Sequence, residues 1–463
     1  VLGGSAGTGA IAEWFTGSCG GTSAGTGNSI TVSPTSNTTY FVRYAGTCNT
    51  TSCASQLVTV NPLHTISLSS GAATQTTCEN TAITNIVYAI GGGATSAGIT
   101  GLPTGVTGAY ASGNFTISGT PTVSGVFNYI VTTTGNSCPA VNASGTITVN
   151  SLIDYANLQS PNTGSICTNG SFSAYGQVYE PGVTPAAGAG IGLVAEIGYS
   201  SINSNPNTWT NWSSATFNIQ VGNNDEFTGT ISGLTSGTYY YTFRYSLNGC
   251  NYQYGGSPNG FWNGTTQTSG VLTVFGTTIT SGTVGGSAAL TQCAGGNPGL
   301  FTVGVPSGGN GTYTYQWEQS DGCTGTWVNA IAEFGITNTL DFNAPQLNTV
   351  GTMCYRLKIT DGCGSIGYST TKTYTIVADP VSQTIVPTIT NGSTICVGAT
   401  VSATFTGGTG GTGTVVDTYE FSTNSGGSWS TYIPGTNITA TAGMLGTNTI
   451  QIRTRRTATG TGC

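Results

Sequence analysis

Thirteen cysteines, one histidine and fifteen carboxylates are the residues of this 463-residue chain that could do chemistry. A zinc site needs Cys and His at close spacing, and here no CxxC pair occurs. A cysteine nucleophile needs a nearby base. Cys48, beside Arg43 in "TTYFVRYAGTC" (38–48), lacks one, so it reads as half of a bridge. The single His64 lies in "NPLHTISL", where it reads as an exposed residue at a strand start. The GxSxG spellings at 3–7 and 21–25 fall in Gly/Ser/Thr-rich runs with no helix pattern after them, so they make no nucleophile elbow for it. Glycoside hydrolysis needs paired acids, and the one adjacent pair is Asp225 and Glu226 in "VGNNDEFTG". With Asn223 and Asn224 these read as a loop tip, without the spacing of a calcium loop. The run "GGTGGTGT" (407–414) precedes no Lys-Ser/Thr and reads as turns, not a phosphate loop. The expectation is no catalytic residue, no metal and no cofactor.

One group of side chains suggests binding. Trp209, Trp212, Tyr252, Tyr254 and Trp262, with Phe261, sit in or beside polar, Asn/Gly-rich segments. Flat rings flanked by amides suit stacking on sugars. The competing reading is that the same rings fill a sandwich core.

The elements that position these residues follow from composition and pattern. Charged residues are 5% of the chain, far below the usual share of about 25%. Disorder would need few aromatics and β-branched residues, yet aromatics make up 10% and Thr, Val and Ile abound. Apolar residues alternate with Thr and Ser, as in half-buried strands. The net charge is −7 with no broad basic patch, which argues against a nucleic-acid partner. No run approaches the length of an apolar membrane span.

Three motifs recur. A strand ending on a closing cysteine appears as "TTYFVRYAGTC", "FNYIVTTTGNSC" (127–138), "YYYTFRYSLNGC" (239–250), "YRLKITDGC" (355–363) and "IQIRTRRTATGTGC" (450–463). Its alternation turns Tyr40, Val42 and Tyr44 inward and Arg43 outward. An aromatic strand, a Gly/Asn/Ser turn and a Trp make a hairpin in "YTYQWEQSDGCTGTW" (313–327), "YEFSTNSGGSW" (419–429) and "IGYSSINSNPNTW" (197–209). An opening cysteine, placed just before an expected strand, marks "TTCENTAIT" (76–84), "SICTNGSFS" (165–173), "TQCAGGNPG" (291–299) and "TICVGATVS" (394–402).

Repetition at this period means an array of modules. Units are expected at 1–61, 62–150, 151–276, 277–379 and 380–463, the third being a larger β-sandwich. Pairing opening with closing cysteines inside a unit gives Cys78–Cys138, Cys167–Cys250, Cys293–Cys363 and Cys396–Cys463. The extra cysteines pair as Cys19–Cys53 and Cys323–Cys354. The first unit is short and lacks an opening cysteine, and the last stops at its closing cysteine. The chain is therefore expected to be cut from a longer polypeptide at both ends, with the partner of the leftover Cys48 before Val1. Short strands, a cysteine pair and an aromatic strand between them give the fold class: all-β, a tandem array of immunoglobulin-like β-sandwich domains. Trp317 is expected to pack on a Cys293–Cys363 bridge. Disulfides also imply an oxidising location outside the cytoplasm.

At these motifs the chain resembles the giant repetitive surface proteins of Bacteroidota, which include gliding-motility adhesins and other type IX secretion cargo. The resemblance rests on "WFTGSCGGTSAGTGNSITVSPTSNTTYFVRYAGTC" (14–48), "GLPTGVTGAYASGNFTISGTPTVSGVFNYIVT" (101–132) and "YGQVYEPGVT…GTYYYTFRY…FWNGTT" (175–266). It implies export and display on the bacterial cell surface. The reading is a non-catalytic segment of an adhesin stalk or filament. Its expected partners are other copies of itself or other surface proteins. The alternative is a set of accessory carbohydrate-binding modules of a secreted polysaccharide-degrading enzyme, with polysaccharide as partner.

Overall fold

A computed structural model describes residues 6–286, 291–446 and 448–463. Residues 1–5, where the first expected unit begins, lie outside it. The described chain is all-β, with two single-turn 3₁₀ segments at Pro206–Thr208 and Ala442–Met444. It is a tandem array of Ig-like sandwiches.

The strands fall into five groups along the chain, spanning residues 11–58, 64–150, 155–275, 279–377 and 384–458. The named ladders run within these groups. The second group shows the plan most simply. Two four-stranded sheets face each other and close over Ile86, Tyr88, Phe115, Ile117, Tyr129 and Ile147, all almost fully buried. Inward apolar and outward polar residues alternate along each strand, as the pleat requires. The Tyr88 and Tyr129 hydroxyls meet at 3.0 Å, and Tyr129 also donates to the Ala73 carbonyl. The polar tips of two core rings are thereby satisfied.

Strand direction decides where the cysteines lie. Each of the middle three groups has a head end, where its first strand starts, and a tail end, where its last strand stops. The strand Thr74–Cys78 runs parallel to the last strand Asn142–Asn150, and Cys78 lies opposite Asn150. The opening cysteine therefore sits at the tail. The strand Gly125–Gly135 runs antiparallel to that last strand, Gly125 facing Val149. It starts at the tail and delivers Cys138 to the head. The third group repeats this: Cys167 faces Phe275 in a parallel pair, and Gly237 faces Val274 in an antiparallel one. So does the fourth, with Cys293 facing Val377 and Gly351 facing Ile376.

This geometry corrects the expected pairings. The three closing strands are each 11 residues long, about 36 Å at about 3.3 Å per residue. A disulfide needs Cα atoms within about 7 Å. Opening and closing cysteines of one group are thus a sandwich length apart. The structure instead joins Cys78–Cys250, Cys167–Cys363 and Cys293–Cys463, with Cα separations of 5.7, 5.7 and 5.0 Å. Each bridge runs from the tail of one group to the closing cysteine of the next. Cys138 and Cys396, expected to be bonded, are free, as is Cys48. The opening cysteines Cys78, Cys167 and Cys293 also end a strand rather than precede one. Cys19–Cys53 and Cys323–Cys354 are bonded within their groups, at Cα separations of 5.8 and 5.2 Å.

Trp317 is fully buried, but no Cys293–Cys363 bridge exists for it to cover. It stacks on Phe342 at 5.0 Å between ring centroids and donates its Nε1–H to the Thr339 carbonyl.

Candidate functional site: arginine–aromatic faces and junction bridges

Four groups carry the same surface device. On the closing strand an outward arginine lies opposite a glutamate of the hairpin strand: Arg43 opposite Glu13, Arg244 opposite Glu196, Arg356 opposite Glu318 and Arg453 opposite Glu420. All four pairs close, at 3.1, 2.7, 2.7 and 2.7 Å. The hairpin then brings an aromatic ring over the guanidinium. Arg244 is held between Trp212 at 4.2 Å and Tyr252 at 3.9 Å. Arg356 is held between Trp327 at 4.1 Å and Tyr368 at 3.9 Å. Arg453 lies 3.8 Å from Trp429, and Arg43 lies 4.9 Å from Phe15. A ring face attracts a cation, and arginine's planar group stacks well there. In the fourth and fifth groups the hairpin Trp and the closing-strand Arg are two parts of one contact, whereas in the third Trp212, three residues beyond the motif's Trp209, covers the arginine.

Two of the aromatics singled out for sugar contact, Trp212 and Tyr252, are engaged in this way. Trp209 is buried, with its Nε1–H donated to Ser204, and it stacks on Trp212 at 5.9 Å. Trp212 donates to the Trp209 carbonyl and also meets Tyr254 at 5.9 Å. Gly198 lies directly beneath the Trp212 ring, where any Cβ would collide with it. Tyr252 covers Arg244. Trp262 stands apart, half-buried, its Nε1–H bonded to Ser269 and its neighbour Phe261 partly exposed.

The remaining candidates are structural. His64 is buried, not exposed as expected, because the turn after the closing strand folds over it. Its ring nitrogens contact the Thr133 hydroxyl at 3.0 Å and the Asn136 side-chain oxygen at 3.2 Å. Asp225 and Glu226 are not a loop tip. Both belong to the strand Asn224–Ser232 and are buried. Asp225 accepts the Gly190 N–H at 2.8 Å, and burial pushes its carboxyl above the usual range despite that bond. Glu226 accepts from Asn218 at 2.6 Å. Glu180 is also buried, and desolvation raises its pKa, with Asp154 and Glu79 adding like charge. Asp361 shows the reverse. Its burial would raise its pKa, but N–H bonds from Ser365, Asn310 and Cys363 outweigh that and hold it low. That turn presents Cys363 to its bridge.

Among the described residues no three His, Cys, Asp or Glu side chains cluster as a metal site. A surface cleft of about 630 Å³ beside Gln319, Asp321, Gln346 and Met353 holds one carboxylate. No described helix is long and apolar enough to cross a membrane.

The junctions are the other candidate. Cys138 lies at the head of its group, with its Sγ 3.5 Å from the Asn61 carbonyl of the preceding linker. Asn136 donates to the Pro62 carbonyl, and Asn61 donates to Ser137. At the last junction Cys293 N–H is bonded to the Thr461 carbonyl at 2.9 Å beside the Cys293–Cys463 bridge. Backbone contacts and covalent bonds thus meet at the same place.

Residues 2–62 match the family described as an Ig-like domain, CHU_C associated. No curated protein matches the chain. Among solved structures it is similar to the I67–I69 I-band fragment of titin, at 9% identity and a TM-score of 0.32. That likeness covers 69% of this chain and 99% of the titin fragment. It is also similar to the D1–D4 ectodomain fragment of ICAM-5, at 12% identity and a TM-score of 0.25, covering 86% of this chain and 99% of that one. The fibronectin(III)-like modules of Clostridium thermocellum CbhA give 8% identity and a TM-score of 0.25, covering 46% and 94%. These likenesses concern architecture and carry no function across.

Proposed function

We propose that the chain is a non-catalytic, extracellular structural or adhesive protein, a segment of a cell-surface stalk or filament. The observation that supports this best is the use of cysteine. Bridges run from the tail of one sandwich to the next, at three successive junctions. Disulfides of this kind persist in an oxidising compartment outside the cytoplasm. The five groups are read as modules with the boundaries expected above. A low-charge face built of Thr, Ser and capped arginines makes contact by hydrogen bonding and packing, so adhesion depends weakly on salt. Its partners are other copies of the chain or other surface proteins. The sequence resemblance extends this reading to a gliding-motility-type adhesin exported by type IX secretion.

The alternative, carbohydrate-binding accessory modules, needs ring faces free to stack. In the third group this leaves Trp262 and Phe261 rather than Trp209 and Trp212. The test of the leading reading is antibody labelling of intact source cells with serum raised against residues 1–463. Labelling without permeabilisation is expected, and label confined to permeabilised cells would overturn it.

A further inference from the structure

We infer that the staggered bridges make the array a tether that cannot lengthen much under tension, even when its sandwiches unfold. This deepens the structural reading proposed above and rests on it. Pulling the two ends of a cross-linked chain loads only the shortest covalent route between them. Cys19–Cys53, Cys78–Cys250 and Cys293–Cys463 remove 34, 172 and 170 residues from that route. About 90 residues of the 463 remain on it. At about 3.5 Å per residue the oxidised chain can reach only about 300 Å, against about 1,600 Å once reduced.

A bridge inside each sandwich would shield that sandwich alone and leave every junction on the loaded path. The observed stagger takes the linkers near residues 150 and 380 off the path, because each lies within a closed loop. The third bridge, Cys167–Cys363, spans 196 residues and overlaps the loops on both sides. It carries no load while its neighbours are intact. When Cys78–Cys250 opens, it becomes the detour. Loss of Cys78–Cys250 then sends the path through Cys167–Cys363 and back to Cys293, shortened on the way by Cys323–Cys354, a gain of about 300 Å at about 3.5 Å per residue. Without the overlap that loss would release the whole 172-residue loop.

Single-molecule pulling of the full chain by its two ends tests this. The oxidised protein should reach a final contour length of about 300 Å. Cys78→Ser with Cys250→Ser should add about 300 Å. Cys167→Ser with Cys363→Ser should add nothing. Should a variant fail to fold, stepwise thiol reduction of the wild-type chain held at constant force gives the same readout as discrete gains in length. An oxidised wild-type chain that extends several-fold further would overturn the tether, as would a length gain from loss of the overlapping bridge alone. A chain that stays short under load but is absent from the cell surface would remove the surface reading and leave the tether standing.

Discussion

The third and fifth groups of strands share a surface and differ in their interiors. In residues 153–275 seventeen residues form one buried cluster, among them Tyr241, Phe243 and Tyr245 with no exposure at all. In residues 384–458 the buried cluster is Ala403, Tyr432 and Ile438. Yet both groups carry the arginine–glutamate pair under a tryptophan, and both end their closing strand toward a bridged cysteine. The covalent frame is uniform while the core is not. Folding free energy in the third group therefore comes mainly from buried apolar area. The fifth, with little area to bury, depends on its bridge to the fourth.

The largest effect that separates the two is removal of that bridge. Closing a loop of 170 residues lowers unfolded-chain entropy by at most about 5 kcal/mol on the chain-entropy model. Cys293→Ser with Cys463→Ser should abolish hydrogen-exchange protection across residues 384–458 and leave 155–275 protected. Equal protection in both would break the comparison. Next come the cores themselves. Phe243→Ala should cost about 3–5 kcal/mol in the third group, whereas Phe405→Ala, at a half-buried ring, should cost about half that in the fifth. Chemical denaturation with a local fluorescence probe in each group measures both.

Acid sharpens the contrast with the fourth group. Asp225 and Glu180 have raised pKa values in the folded third group. The unfolded chain gives up these protons first, so stability falls as pH rises from the ordinary carboxylate value to the raised one. Asp225→Asn should therefore raise melting temperature at neutral pH and have no effect at low pH. Asp361, held low, contributes stability above the ordinary aspartate value that is lost as pH falls through its folded pKa. Asp361→Asn should destabilise the fourth group at neutral pH and not in strong acid. The smallest effect is on the faces. Arg244, one-fifth exposed between two rings, should cost about 1–2 kcal/mol when changed to Ala. Arg453, half exposed over one ring, should cost at most about 0.5 kcal/mol.

Much of this was legible in the residues. The alternation in "TTYFVRYAGTC" turned Tyr40 and Val42 into the core and Arg43 out toward Glu13, as the pleat dictates. The hairpin motif placed the tryptophans near the closing strand. Their partner was missed, although part of the signal was present: the closing strands of four groups carry an Arg, and a Glu lies in or next to each facing aromatic strand. The cysteine pairing was misread because spacing along the chain says nothing about which end of a sandwich a residue reaches. The missing step was direction. A strand that pairs in parallel with the last strand of its group must end where that strand ends, so Cys78, Cys167 and Cys293 face the next group. The burial of His64 and Asp225 was hidden for a related reason. The residues that cover them, Thr133 and Gly190, are distant in sequence.

The central claim is that cysteine bridges join consecutive sandwiches. Mass-spectrometric mapping of a non-reduced peptic digest, with free thiols blocked first, tests it most directly. Linked peptides carrying Cys78 with Cys250, Cys167 with Cys363 and Cys293 with Cys463 are expected, with blocked thiols at Cys48, Cys138 and Cys396. Linked peptides carrying Cys78 with Cys138, Cys167 with Cys250 and Cys293 with Cys363 would contradict it.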